Sequence, residues 1–132
     1  MEEADKLIKE LSMISHPEGG YYCQTFKSEF LSQIYYLLRK NEKSEWHRLK
    51  KDEMLHFYKG DPLKIYTERK GDLKNYLLGE ESLYNIVIKK GTWFGMKTIG
   101  NYSLIGCTVS PPFEFSDLEI YSKKNSSVLP TI

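Results

Sequence analysis

The 132-residue chain has almost no charge imbalance, with nineteen Lys and Arg against eighteen Asp and Glu. A nucleic-acid binder concentrates basic side chains on one face. The short basic runs here, Lys50-Lys51, Lys89-Lys90 and Lys123-Lys124, are interspersed with acids and read as solvated strand ends, so no nucleic-acid partner is expected. No apolar run approaches the ~20 residues a membrane span needs. The acidic start Met-Glu-Glu-Ala-Asp is unlike a basic-then-apolar secretory signal, and the expected location is cytoplasmic, with no membrane partner. Cysteine is scarce: Cys23 and Cys107 lie far apart in strand-like segments and read as free buried thiols rather than a disulfide. Glycines 19 and 20 match neither a P-loop nor a dinucleotide fingerprint. There is no internal repeat or low-complexity linker, and the length suits one domain.

What the chain does have is aromatic side chains: ten Tyr, six Phe and two Trp, 14% of the residues. Tyr and Phe favour strands, and Tyr and Trp line ligand pockets with an apolar body and a polar tip. Residues 3–13 read as a short helix, with Leu7, Ile8 and Leu11 on one face and Glu2, Glu3 and Asp5 at its N-terminal end. His16-Pro17-Glu18-Gly19-Gly20 stops it. Thereafter the period changes. Apolar-rich segments near 21–28, 33–39, 44–50, 53–59, 63–69, 74–78, 84–89, 93–98, 102–110 and 117–122 read as strands separated by polar or glycine turns. Many short strands without a long helix predict a β-sandwich or barrel. The tail after Tyr121 is polar, and fraying is expected there.

The densest polar cluster runs from Ser44 to Gly60 and holds two of the three histidines. On an extended strand His47 and Leu49 point one way, Trp46 and Arg48 the other. A turn near Lys50-Lys51-Asp52 returns Glu53 beside His47. His56, three residues beyond Glu53, has the wrong parity to join them unless a bulge intervenes. A His–Glu–His cluster binds a divalent metal or moves protons; equally, it is a hydrogen-bonded pair with one surface imidazole.

His47, Glu53 and Gly60 match in spacing the first His, the Glu and the closing Gly of the first cupin motif, with Leu49 in place of its second His. The second motif is matched only at Gly91, with Phe94 where its His belongs. A closer resemblance covers most of the chain. Its blocks are His16-Pro17-Glu18-Gly19-Gly20-Tyr21-Tyr22, Ile34 to Leu38, Trp46-His47-Arg48, Asp52-Glu53, His56 to Leu63, Gly91-Thr92-Trp93, Gly106 to Val109 and Phe113 to Glu119. Together they resemble the uncharacterised cupin family known as DUF985.

The resemblance implies an all-β fold, the cupin double-stranded β-helix or jelly-roll barrel with a short N-terminal α-helix. The expected division is 1–20 for the helix and opening turn, 21–122 for the barrel and 123–132 for a polar tail. It also implies a homodimer and a deep pocket similar in shape to that of the dTDP-sugar epimerases. By that analogy the expected activity is metal-free binding, and isomerisation or epimerisation, of a sugar or nucleotide sugar. His47 would act as base, Glu53 would orient it, and Tyr58, Tyr35 or Tyr22 would supply the acid, with Tyr58 taken as the catalytic choice. Tyr22, Tyr35, Trp46, His56, Trp93, Asp117 and Glu119 are the expected substrate-binding residues. Asp117 and Glu119 follow Phe113 and Phe115 at two-residue intervals and are expected to share a face with them. Leu49 and Phe94 would form an apolar pocket wall. No cofactor is expected; were a metal present, His47, Glu53 and His56 would hold it. The alternatives are a non-catalytic binding cupin and a metal-dependent cupin oxygenase.

Overall fold

A computed structural model describes residues 2–122 and 129–132. Eleven strands and one helix are assigned, and the strand positions read from the sequence are nearly all present. Helix α1 (Glu3–Glu10) is shorter than the expected span, because Ser12 takes a positive φ of 53° and turns the chain into β1 (Ile14–Ser15). The strands that follow are β2 (Tyr21–Lys27), β3 (Ser32–Arg39), β4 (Lys43–Leu49), β5 (Asp52–Gly60) and β6 (Leu63–Arg69). They continue with β7 (Asp72–Leu78), β8 (Asn85–Ile88), β9 (Trp93–Thr98), β10 (Tyr102–Ser110) and β11 (Leu118–Ile120).

They form two facing antiparallel sheets. One has six strands in the order β1-β2-β3-β10-β5-β8, the other five in the order β11-β4-β9-β6-β7. Strand alternation decides what fills the space between them. Glu53 and Leu55 of β5 are buried while Asp52 and Met54 are exposed, and in β6 Leu63, Ile65 and Thr67 alternate with half-buried neighbours. The inner core gathers Tyr36, Leu38, Leu55, Leu63, Ile65, Phe94, Met96, Ile105 and Cys107. A second cluster lies on the outer face of the six-stranded sheet. There Leu7, Ile8 and Leu11, just beyond the last helical turn, cover Tyr21, Cys23, Tyr35, Leu37 and Leu104. Arg39 reinforces this contact, reaching Asp5 of α1 at 2.9 Å. Both cysteines are free, as expected.

Two local departures matter for the site. The expected strand at 117–122 begins instead as a 3-10 turn over Phe115–Asp117, closed by reciprocal Glu114–Asp117 capping, before the three-residue β11. The turn breaks the two-residue period, so Phe113, Phe115, Asp117 and Glu119 do not share a face. The fraying expected of the tail falls largely on 123–128, outside the described residues. At 129–132 the chain is docked: Leu129 N–H donates to the Tyr121 hydroxyl at 3.2 Å, and Trp46 Nε1–H donates to the Pro130 carbonyl at 2.6 Å. Among the described residues no helix is long and apolar enough to cross a membrane.

Candidate functional site

Between the sheets, bordering the inner core at Cys107, lies a cavity of about 420 Å³. Its size falls within the range of small-molecule sites. The deeper lining includes His16, Glu18, His47, Glu53 and Cys107, with Leu49, Ile34 and Val109 as apolar wall; Gln24, Lys27, Glu114 and Phe115 stand on exposed positions around it.

His47 reaches this cavity from β4, whose register against β9 shifts between Ser44 and His47. The shift leaves both Ser44 and His47 buried while Glu45 is exposed. The imidazole is only 2% exposed and both its nitrogens are committed. Nδ1–H donates to the Glu45 carbonyl at 2.7 Å, and Nε2 meets Glu18 Oε2 at 2.8 Å. Phe94, opposite His47 in the β4–β9 ladder, packs its ring 4.1 Å away. Burial alone would lower the His47 pKa, but the Glu18 charge and hydrogen bond outweigh it and the pKa is raised. For Glu18, burial pushes upward, and the facing imidazolium brings the pKa below its ordinary value. The two are a buried ion pair.

Glu18 comes from the Pro17-Glu18-Gly19-Gly20 turn. Gly19 and Gly20 adopt φ of 112° and 74°, a conformation other residues rarely take. The turn is tied down by Glu45 N–H donating to the Glu18 carbonyl at 2.7 Å and by the Tyr36 hydroxyl donating to the Gly19 carbonyl. The fully buried Ser44 hydroxyl lies beside Glu18 and Tyr36 and eases both toward ionisation, without completing a well-formed hydrogen bond of its own.

Glu53 differs from both. It is 8% exposed, lines the cavity, and has no ion-pair partner among the described residues. Burial and then the nearby Glu18 charge push its pKa up to about 7, with His47 and the adjacent Cys107 thiol offsetting part of the effect. Cys107 itself is held well above its ordinary value by burial and the two carboxylates. It is an un-ionised thiol rather than a nucleophile.

Of the other sequence-nominated residues, Tyr22 lines the cavity. The rest lie elsewhere. His56 follows the parity of β5 and faces outward: the bulge in β5 falls beyond it, opposite Leu104 and Ile105. Its ring stacks parallel to Tyr58 at 6.4 Å, and its Nε2 meets the Thr108 hydroxyl at 3.4 Å. Tyr58, 45% exposed, takes a hydrogen bond from Gln33 and meets Tyr35 edge-on, so these three form a patch on the outer face of the six-stranded sheet. Trp46 and Trp93 lie on the outer face of the five-stranded sheet, Trp46 near Tyr66, and Trp93 beneath the Arg48 guanidinium at 4.4 Å. Glu119 bonds Arg48 at 2.9 Å on that face, and Asp117 pairs with Lys51 at 2.7 Å.

The conditional metal set is therefore not assembled. His56 points away, both His47 nitrogens are engaged, and no group of three or more His, Cys, Asp or Glu among the described residues is placed to hold an ion. Tight first-row metal sites offer three or four protein ligands, so the residues present do not fit a resident metal.

Sequence reasoning missed Glu18 and His16 as site residues. Both stand in the block His16-Pro17-Glu18-Gly19-Gly20, which local rules read only as a helix stop. A turn has no side-chain period, so nothing local reveals that its carboxylate meets a strand residue distant in sequence.

Known proteins place this geometry in a family. The profile of the cupin superfamily (DUF985) matches residues 5–121. A Shewanella oneidensis protein of known structure is 38% identical, with a TM-score of 0.88 over 92% of this chain and 86% of that one. A hypothetical protein from Leishmania major is 26% identical, with a TM-score of 0.85 over 92% and 88% of the two chains. A variant of the Bacillus subtilis oxalate decarboxylase shares the fold alone, at 15% identity and a TM-score of 0.69 over 81% of this chain and 29% of that one. No curated protein matches. With the family profile spanning nearly all of a jelly-roll chain, this protein belongs to the DUF985 family of the cupin superfamily.

Proposed function

We propose that the cavity binds a small polar metabolite of the sugar type and moves a proton on it without metal, as an isomerase or epimerase. One observation carries this reading. Glu53 is a buried carboxyl with no ion-pair partner among the described residues, facing a cavity, with a pKa of about 7. A general acid–base works best when its pKa lies near the operating pH, and such a group in a cleft is a functional candidate. The proton-transfer role therefore falls to Glu53 rather than to His47, whose nitrogens are engaged by Glu18 and Glu45. His47 and Glu18 become positioning residues whose fixed charges tune Glu53.

An uncharged sugar suits the lining better than a nucleotide sugar. Lys27, on an exposed position, is the only lysine among the lining residues, which also include the acidic Glu114, a poor match for two phosphates. Non-catalytic binding is the second reading, favoured by the apolar wall of Leu49, Ile34 and Val109. A metal-dependent oxygenase has no fitting donor set among the described residues.

The test is thermal denaturation with a panel of monosaccharides and nucleotide sugars, followed by analysis of the recovered ligand. A ligand at 100 times its Kd stabilises by about 2.7 kcal/mol. Stabilisation by a monosaccharide that is recovered isomerised supports the proposal, an unaltered ligand supports the second reading, and no stabilisation by any sugar contradicts both. A homodimer belongs to the same proposal. Met54 and Val87 expose apolar surface on the outer face of the six-stranded sheet, and a monomer mass by light scattering would contradict it.

A further inference from the structure

We propose that His16 is a second substrate-contacting residue, a neutral imidazole whose Nε2–H receives the oxygen of a carbonyl substrate while Glu53 takes the proton from the adjacent carbon. This rests on the acid–base reading of Glu53 and deepens it by naming the substrate class: small carbonyl compounds with an exchangeable hydrogen beside the carbonyl, such as ketoses and aldoses.

The tautomer is set by the backbone. Glu18 N–H donates to His16 Nδ1 at 3.2 Å, so Nδ1 is the acceptor and the ring proton sits on Nε2. The Glu18 carboxylate is 3.8 Å from the same Nδ1. That is too far for a hydrogen bond, and with no proton on Nδ1 the contact is not an ion pair. Burial lowers the His16 pKa and outweighs the pull of Glu18, with His47 adding to the lowering, so the ring stays neutral near pH 7.

Ring position is fixed as firmly as the tautomer. Tyr22 and Tyr36 meet the imidazole edge-on at 4.7 and 5.8 Å, and Phe115 lies 6.2 Å away. Nε2 has no hydrogen-bond partner among the described residues, nor is it among the sealed, unpartnered atoms, of which Ser44 Oγ is the sole example. His16 lines the cavity, so this donor is left for a ligand. Glu53, on β5 of the same lining, has the Cys107 thiol beside it and no ion-pair partner among the described residues. A donor without a hydrogen-bond partner and an ionisable carboxyl without an ion-pair partner, both among the described residues, bound the same space.

The step balances without a co-reactant. The carbon–hydrogen bond beside the carbonyl breaks and its proton joins the Glu53 carboxylate. The released electron pair forms a carbon–carbon double bond, and the carbonyl π pair moves to oxygen, where His16 Nε2–H stabilises the oxyanion. Return of the proton from Glu53 to the same carbon regenerates the carbonyl compound unchanged. Where the oxyanion first takes the proton of the hydroxyl on the deprotonated carbon, return of the Glu53 proton to the other carbon shifts the carbonyl to its neighbour. A neutral imidazole suits this task because it donates without fully transferring its proton.

The experiment follows hydrogen exchange beside the carbonyl by proton NMR in D2O, with dihydroxyacetone and D-fructose as probes. The wild-type protein is expected to exchange these hydrogens faster than buffer. Glu53→Gln should lower the rate by about 100-fold or more. His16→Phe should lower kcat by about 100-fold with little change in KM, as for loss of one oxyanion donor. His16→Gln, which restores an N–H, should recover part of the rate, whereas a purely packing role would let Phe substitute better than Gln. Unchanged exchange in His16→Phe, with Glu53→Gln inactive, would overturn the assignment of His16 and leave the proton-transfer reading standing. Thermal stabilisation by D-fructose without exchange of either probe would overturn the carbonyl chemistry and leave binding. Neither exchange nor stabilisation would sink both.

Discussion

The two faces of the six-stranded sheet carry similar side chains and opposite chemistry. On the outer face His56, Tyr58, Tyr35 and Thr108 form a histidine–tyrosine patch, and Tyr58 is 45% exposed. On the inner side Glu53 leaves the same strand, one residue from exposed Met54, and ends in a buried cavity opposite Glu18 and His47. The residue types do not separate the two sites; desolvation does. Outside, Tyr58 stays nearly half in water, its pKa raised by what burial it has and by the neighbouring Tyr35. Inside, burial drives Glu53 up to about 7 and locks Glu18 and His47 into an ion pair.

If this comparison is right, the largest stability effect comes from splitting the inner pair. Glu18→Ala leaves a buried imidazolium unpaired and should cost about 3–5 kcal/mol of unfolding free energy, read by urea denaturation near pH 7. A loss below 1 kcal/mol would mean that the pair is open to water. The pair also has a pH window. The raised His47 pKa contributes stability that is lost as pH rises through its folded value, and the lowered Glu18 pKa contributes stability that is lost as pH falls through its own. The contribution is therefore greatest between those two limits.

Next in size is a gain. Glu53 is more basic folded than unfolded, so as pH rises above its ordinary 4.5 the unfolded state ionises first and the native state loses ground until about 7. Glu53→Gln, a neutral mimic of the protonated acid, should stabilise the fold by about 3 kcal/mol at pH 8 and by almost nothing at pH 4. A variant less stable than wild type at pH 8 would contradict this. The same substitution should remove activity, the opposition expected where a group is kept for chemistry rather than for folding.

A smaller effect should follow from cutting the Arg48–Glu119 pair, whose partners are 39% and 45% exposed. Glu119→Gln should cost less than about 1 kcal/mol. Smallest of all, Tyr58→Phe should change unfolding free energy by within about 0.5 kcal/mol and leave any monosaccharide-induced thermal shift intact. Loss of that shift would move the binding site to the outer face.

How much of this was legible in sequence follows from the same physics. Strands β2 to β10 could be read because alternation has a period, and that period also put His47 and Leu49 inside, Trp46 and Arg48 outside. Parity argued against His56 as a ligand, and the bulge in β5 falls where it cannot reverse that. The segment from Phe113 to Glu119 was misread because its two-residue spacing of aromatic and acidic side chains mimics a strand, although Glu114 and Asp117 cap a 3-10 turn. Tyr58 and Tyr35 were assigned by analogy with a pocket, yet they sit on the strand positions that face out. The most consequential omission was Glu18. Its block was quoted for family resemblance, but only the folded chain shows that its carboxylate takes the nitrogen of His47, the contact on which the proposed role of Glu53 rests.

That role is the central claim, and a carboxyl-carbon NMR titration of the wild-type protein against Glu53→Gln tests it most directly. The account predicts one glutamate carboxyl that titrates at about 7 and disappears in the variant. A Glu53 carboxyl that titrates at its ordinary 4.5 would contradict it.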